Sequence, residues 1–183
     1  MRTAALFALG LFATPAWAAF DVFLSYPGIP GDSVHIAYPN QIDVTSVQVD
    51  AFRVGTVGDV DNLAAPKLAE VKITKIVDNA SPLLMIASLE GAPATQNAVF
   101  SFQRTGGSSA SSTGSFYTIT LTRPVVTSYA VEAASGDDVP EETVTFGYES
   151  LCITHRPQGP TGTLGSPVTR CWNAATNTSS TSI

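Results

Sequence analysis

At 183 residues the chain is sized for one domain, and 9 basic against 15 acidic residues give a formal net charge of −6. An acidic chain without Lys/Arg clusters argues against nucleic acid or an anionic membrane surface as its partner. Two cysteines with only two histidines, none at ligand spacing, argue against a zinc site.

Residues 1–18 read as a targeting signal rather than part of a fold. Met1-Arg2 is a minimal positive start, an apolar run follows to Ala13, and Pro15 with Ala16-Trp17-Ala18 supplies a small-x-small cleavage pattern. That apolar run is too short for a bilayer, which needs about 20 residues. Cleavage is expected between Ala18 and Ala19 or one residue later, with export through the inner membrane to the periplasm or the exterior. Loss of Arg2 leaves 8 basic against 15 acidic residues, a net charge of −7. No second long apolar run follows, so the sequence offers no membrane anchor.

The rest reads as mostly β. Residues 20–26 form an apolar strand stopped by Pro27-Gly28, and residues 28–40 form a loop. Ile42 and Val44 alternate in one phase, and Val47, Val49 and Ala51 in the other. A phase change at Thr45-Ser46 is what a β-bulge produces. Residues 54–66 are turn-rich, yet Val54, Val57, Val60 and Leu63 recur through them, which suggests a loop that docks on something. Val71, Ile73 and Lys75 then share one phase of a strand. Ser81 is placed to cap a helix with Pro82 at its first position. Leu83, Leu84, Met85, Ile86 and Leu89 give an apolar face, and Gly91 gives the stop.

Beyond the helix, Ala98, Phe100 and Phe102 mark a strand, and residues 105–115 a Gly/Ser-rich hairpin connection. Tyr117, Ile119 and Leu121 mark the returning strand, which Arg123-Pro124 separates from another over residues 125–133. A turn at residues 135–140 precedes the longest expected strand, residues 142–155, with a kink at Gly147. From Pro157 onward Gly, Pro, Ser and Thr dominate, and only Cys171-Trp172 reads as an ordered anchor. In an exported chain, Cys152 and Cys171 are most simply a disulfide pinning this tail, worth about 3 kcal/mol in the chain-entropy model. The expected fold is mainly β, a closed or nearly closed antiparallel barrel with one short helix on its side. Its expected division is a signal over 1–18, a barrel over 19–158 and a tail over 159–183.

Catalytic motifs do not stand out. There is no G-x-S-x-G elbow, H-E-x-x-H pair or phosphate-binding glycine loop. Asp32, Ser33 and His35 crowd one loop, but triads are assembled from distant segments, so a polar surface loop is the reading adopted. Asp137, Asp138, Glu141 and Glu142 read as turn chemistry rather than a cation site. The sequence therefore implies no enzyme, no cofactor and no metal.

The wording of one segment goes further. Thr74-Lys75, Val77-Asp78, Ala80-Ser81-Pro82 and Leu84 follow a pattern T-K-x-V-D-x-A-S-P-x-L that resembles the haemolysin-coregulated protein (Hcp) family, the tube subunits of bacterial type VI secretion. Asp21-Val22-Phe23-Leu24 with Gly28-Ile29-Pro30-Gly31-Asp32-Ser33 is similar to that family's first strand and loop. Gln41-Ile42-Asp43-Val44 resembles its second, with Val47 and Val49 in place of two tryptophans. Residues 117–121, 125–129 and 136–146 resemble its later strands, so the likeness runs over about residues 21–158. The resemblance implies a barrel subunit that forms homo-hexameric rings with a wide lumen, rings that stack into tubes, and protein effectors as cargo. Residues 54–66 match the extended loop reaching a neighbouring ring, with Val57, Val60 and Leu63 as its apolar contacts. The signal and the tail depart from the pattern and suggest a relative adapted to the periplasm or exterior. The competing expectation is an exported β-barrel binding module that does not polymerise.

Overall fold

The computed structural model describes residues 19–55, 63–105, 114–136, 138–159 and 163–182. The expected signal, Ala18, Val57 and Val60 lie outside them, as does most of the Gly/Ser connection. Ala19, the residue expected to begin the mature chain, is exposed and precedes the first strand.

Thirteen strands and one helix are found among the described residues: β1 (Phe20–Ser25), β2 (Ile42–Val44), β3 (Ser46–Gln48), β4 (Ala51–Phe52), β5 (Lys67–Leu68), β6 (Val71–Ile76), α1 (Ser81–Glu90), β7 (Ala98–Arg104), β8 (Tyr117–Thr122), β9 (Val125–Glu132), β10 (Glu141–Gly147), β11 (Ser150–His155), β12 (Val168–Asn173) and β13 (Thr178–Ser180). They form a large antiparallel sheet, β13-β12-β11-β8-β7-β1-β2, a smaller one, β3-β6-β10-β9, and the β4–β5 ribbon. Strict alternation builds the core: β6 buries Val71, Ile73 and Lys75, and β10 buries Glu142, Val144 and Phe146. Leu24, Ile42, Ile73, Phe100, Leu121 and Phe146, drawn from both sheets, meet in one cluster without exposed surface. Each such side chain contributes about 1.5–3 kcal/mol by leaving water.

The chain passes between the sheets at sharp corners. At Thr45 the phase change expected from sequence is a change of sheet: β2 pairs with β1, whereas β3 pairs with β6. The Thr45 N–H bonds to Thr74 O at 2.9 Å, and the Thr45, Ser46 and Thr74 hydroxyls cluster at 2.8–2.9 Å. The expected single strand over 142–155 is two strands in different sheets, since β10 pairs with β6 and β9, and β11 with β8 and β12. Around Gly147 the room is tight, because a Cβ there meets Thr127 Cγ2 and Val125 Cγ1 at 3.1 Å. Glycine permits the close turn that strand periodicity alone does not reveal. Beside it, Arg123 (φ +46°) carries the chain from β8 to β9, and Ser150 N–H bonds to Thr122 Oγ1 at 2.9 Å.

The C-terminal segment differs from the loose tail expected. Residues 168–180 supply β12 and β13, which extend the large sheet from β11. Their Ser/Thr-rich composition hides the strands, because no apolar alternation marks residues 178–180 and all three are exposed.

Candidate functional site: a buried ion cluster and three exposed apolar surfaces

The family-like wording around Lys75 resolves into a buried ion cluster. Lys75 and Glu142 face each other across β6 and β10, and neither side chain is exposed. Lys75 Nζ donates to Glu142 Oε2 (2.7 Å), Asp78 Oδ1 (2.7 Å), the Ile76 carbonyl (2.8 Å) and Ser81 Oγ (3.2 Å). Tyr129 on β9 donates its hydroxyl to Glu142 Oε1 at 2.6 Å. Burial alone would raise the Glu142 carboxyl. The hydrogen bonds from Lys75, Ser81 and Tyr129 and the ammonium charge outweigh it and hold the group below its ordinary value. Tyr129 is pushed up to about 12, first by burial and then by its hydrogen bond to Glu142, the Glu142 charge and that of Asp78.

This cluster also starts the helix. Asp78 Oδ1 accepts the Ala80 N–H at 2.9 Å, and Ser81 Oγ accepts the Asp78 N–H at 2.9 Å, a reciprocal capping arrangement. Ser81 is therefore not the cap expected from sequence. It is the first helical residue, the residue preceding it is Ala80, and its buried hydroxyl serves Lys75 and Asp78. Gly91 ends α1 as expected, at φ +61°, with its N–H on the Ala87 carbonyl at 3.0 Å.

The helix leaves apolar surface unused. It packs along β9, and of the five apolar residues expected to face the sheet only Leu84 is buried. Leu83, Met85, Ile86 and Leu89 form the opposite side and are 41–77% exposed. A helix apolar on all sides is ordinarily enclosed on all sides. Exposed Ile76 and Val131 lie on β6 and β9 of the adjoining sheet.

Two further apolar surfaces sit at opposite ends of β6. Before its start, the β4–β5 ribbon pairs Ala51 with Leu68 and Phe52 with Lys67. Beyond it the chain stays paired, Ala64 N–H to Val54 O at 2.8 Å, and Phe52, Val54 and Leu63 are exposed. Of the three residues expected to make the loop contact, Leu63 is thus the one in view. Past the other end of β6, the Asn79 N–H bonds to Asp32 Oδ2 at 3.2 Å and ties down the β1–β2 loop. There Val34 is 98% and Ile36 89% exposed. His35 and Tyr38, by contrast, lie on Phe23 with ring centroids 4.8 and 4.7 Å away. Asp32, Ser33 and His35 thus hold a loop in place, and Ser33 is buried rather than on the polar surface expected from sequence. Gly31 is required there, since a Cβ would stand 2.6 Å from Ile42 Cα.

Cys152 and Cys171 are joined in a disulfide, paired directly across β11 and β12 with Cα atoms 4.0 Å apart. Glu142 is not part of an acidic surface group with Asp138 and Glu141, since it points into the core. His155 is exposed at the end of β11. Among the described residues, no three His, Cys, Asp or Glu side chains are grouped to hold a metal ion, and no helix is long and apolar enough to cross a membrane.

The fold and its surfaces define a two-sheet antiparallel β protein with a side helix apolar on both faces. A family model described as "Type VI secretion system effector, Hcp" matches residues 23–155, and the chain belongs to that Hcp family. Among solved structures, a type six secretion system protein is 23% identical with a TM-score of 0.80, the match covering 88% of this chain and 100% of that one. Hcp1 from Salmonella typhimurium is 18% identical with a TM-score of 0.71, covering 88% and 99%. A type VI secretion system effector from Yersinia pestis is also 18% identical, with a TM-score of 0.65, covering 84% and 99%. At these identities the likeness establishes the fold. Comparison with curated proteins finds no match.

Proposed function

We propose that this chain is a non-enzymatic structural subunit, exported after cleavage between Ala18 and Ala19, that assembles into hexameric rings of the type VI secretion kind. The observation carrying this reading is the outward face of α1 in a chain of the Hcp family. Leu83, Met85, Ile86 and Leu89 stand exposed on an ordered helix, an arrangement suited to a lateral contact with a neighbouring copy. The same surface on each copy, meeting a different surface on the next, closes a ring when the rotation closes. A ring lumen is the place this reading gives to protein cargo. The extended loop, through Val57, Val60 and Leu63, then reaches the adjacent ring. The match of residues 23–155 to the family model supports both contacts.

Negative-stain microscopy and native mass measurement of the oxidised protein, produced with its first 18 residues and recovered from the periplasm, test the proposal. Expected are a chain beginning at Ala19 and six-membered rings. Uniform monomers at high concentration would instead favour a binding module that does not polymerise.

A further inference from the structure

We infer that a polar cleft on the outer face of the large sheet binds a small polyhydroxylated oxyanion, a sugar acid or sugar phosphate, with Arg156 holding the anion and threonine hydroxyls the sugar. The cleft is built on β8, β11 and β12, whereas α1 packs along β9 of the other sheet, so binding there does not rest on ring formation.

Strand register makes the floor. Ser101, Thr118, Thr154 and Thr169 stand opposite one another on β7, β8, β11 and β12. Alternation turns the adjacent Phe100, Ile119 and Ile153 toward the core, so the four hydroxyl residues share the outer face. The three threonines are half-buried, and the Thr154 and Thr169 hydroxyls lie 2.9 Å apart. Successive strands are about 4.8 Å apart, comparable to hydroxyls two carbons apart on a sugar ring. A threonine hydroxyl both donates and accepts, as a sugar hydroxyl does.

The sides are fixed in advance. Ser115 and Pro167 flank the floor, and the volume of about 460 Å³ is within the roughly 300–1,000 Å³ of small-molecule sites. Behind Ser115 stands Tyr38, whose hydroxyl reaches both Ser101 and Ser115. Its ring stacks on Phe23 with centroids 4.7 Å apart at 15°. Walls set before a ligand arrives leave little ordering entropy to be lost on binding.

Charge selects the ligand. Arg156 follows β11 in the phase of Thr154, and its backbone N–H is anchored on the Phe116 carbonyl at 2.7 Å. Among the described residues its side chain forms no ion pair, whereas Arg123 is paired with Glu149 at 3.2 Å. It is also the one charged residue among those that line the cleft. In a chain with 15 acidic residues against 9 basic ones, a guanidinium left over beside hydroxyls is a local anion site rather than part of a basic surface. Its planar fork matches a carboxylate or a phosphate in two parallel hydrogen bonds. A neutral sugar would leave that fork unused, and a bare anion would leave the threonines unused.

The test is a titration of the isotope-labelled, oxidised chain beginning at Ala19 with sodium glucuronate, glucose phosphate, inorganic phosphate and glucose, followed by amide resonances. Expected are saturable shifts confined to Ser115, Thr118, Thr154, Arg156 and Thr169 with both glucuronate and glucose phosphate, and the tighter of the two names the anion. Inorganic phosphate should bind about tenfold more weakly, and glucose should not saturate. Arg156→Gln and Thr154→Val/Thr169→Val, each checked for a parental melting temperature, should each weaken binding about tenfold. No saturation by either charged sugar below about 10 mM, or shifts scattered over the surface, overturns the inference. So does a variant that binds as the parent does, glucose binding as tightly as the charged sugars, or inorganic phosphate binding as tightly as glucose phosphate.

Discussion

Lys75 and Glu142 illustrate how a buried charge pair governs geometry more than net stability. Removing both charges from water costs several kcal/mol per ion, and the mutual attraction roughly offsets this when every remaining donor finds an acceptor. Here Lys75 does so through Glu142, Asp78 and the Ile76 carbonyl, so the pair fixes the start of α1 against β10. Lys75→Met should therefore lower the free energy of unfolding by about 3–5 kcal/mol, because it strands Glu142 uncompensated. The double variant Lys75→Met/Glu142→Leu should recover most of that loss in urea titrations, and a double variant as unstable as the single one would refute this account. The pH dependence follows from the same groups. Glu142 titrates below its ordinary value when folded, so its contribution is present above the usual carboxylate range and is lost as pH falls beneath about 4.5. Tyr129 and Tyr148 are both raised to about 12, Tyr148 by burial and the Glu70 charge, so their contribution is full below about pH 10 and is lost as pH rises from there toward about 12. Melting temperature should be flat between about pH 5 and 9 and fall on both sides. The pairing was partly legible in the sequence, because Lys75 shares the phase of Val71 and Ile73. Its partner was not, because Glu142 stands beside Glu141 and reads as one more turn acid until the register sets it opposite Lys75.

At the scale of elements, local signals served where they were backed by packing and misled where composition masked it. Gly91 and Pro82 mark the ends of α1 through backbone constraints that tertiary structure does not alter. The apolar residues of α1 do not say which side faces the sheet, since that depends on how the helix lies along β9, and most of them are left exposed. Residues 142–155 look like one strand because Val144, Phe146 and Tyr148 alternate across Gly147, and the phase shifts only at Leu151 and Ile153, after the chain has changed sheet. At the C-terminus the disulfide holds β12 to β11 over a sequence separation of 19, worth about 3 kcal/mol. Cys152→Ala/Cys171→Ala should lose about that much stability, and hydrogen exchange should rise in β12 and β13 before β7 and β8. Equal protection in both regions would mean that backbone pairing alone holds the hairpin.

For the whole molecule, unused apolar surface is the feature that points to assembly. A monomer that kept Leu89 77% exposed beside Leu83, Met85 and Ile86 would carry a standing liability for unspecific association. Leu83→Asp/Leu89→Asp should leave the melting temperature of the isolated subunit within a few degrees of the parent, since neither side chain enters the core, and should abolish rings in native mass measurements. Rings that persist would move the lateral contact elsewhere on the subunit. Deleting residues 58–62 should remove stacking and leave the folded subunit intact, and filaments unchanged by microscopy would count against a stacking role for this loop.

By itself, the sequence determined the mainly β class, the family and the positions of most strands and of the helix. Periodicity, turn chemistry and the wording around Lys75 are local and survive without coordinates. The same holds for the paired cysteines, whose even count sufficed to propose the bridge. Only the tertiary structure decided which strand joins which sheet, that Glu142 meets Lys75, that the tail is a hairpin, and that Val34, Ile36 and the outer face of α1 are left in water. These all depend on register and on which elements come to lie together, and contacts between residues as distant as 75 and 142 leave no periodic trace in the chain.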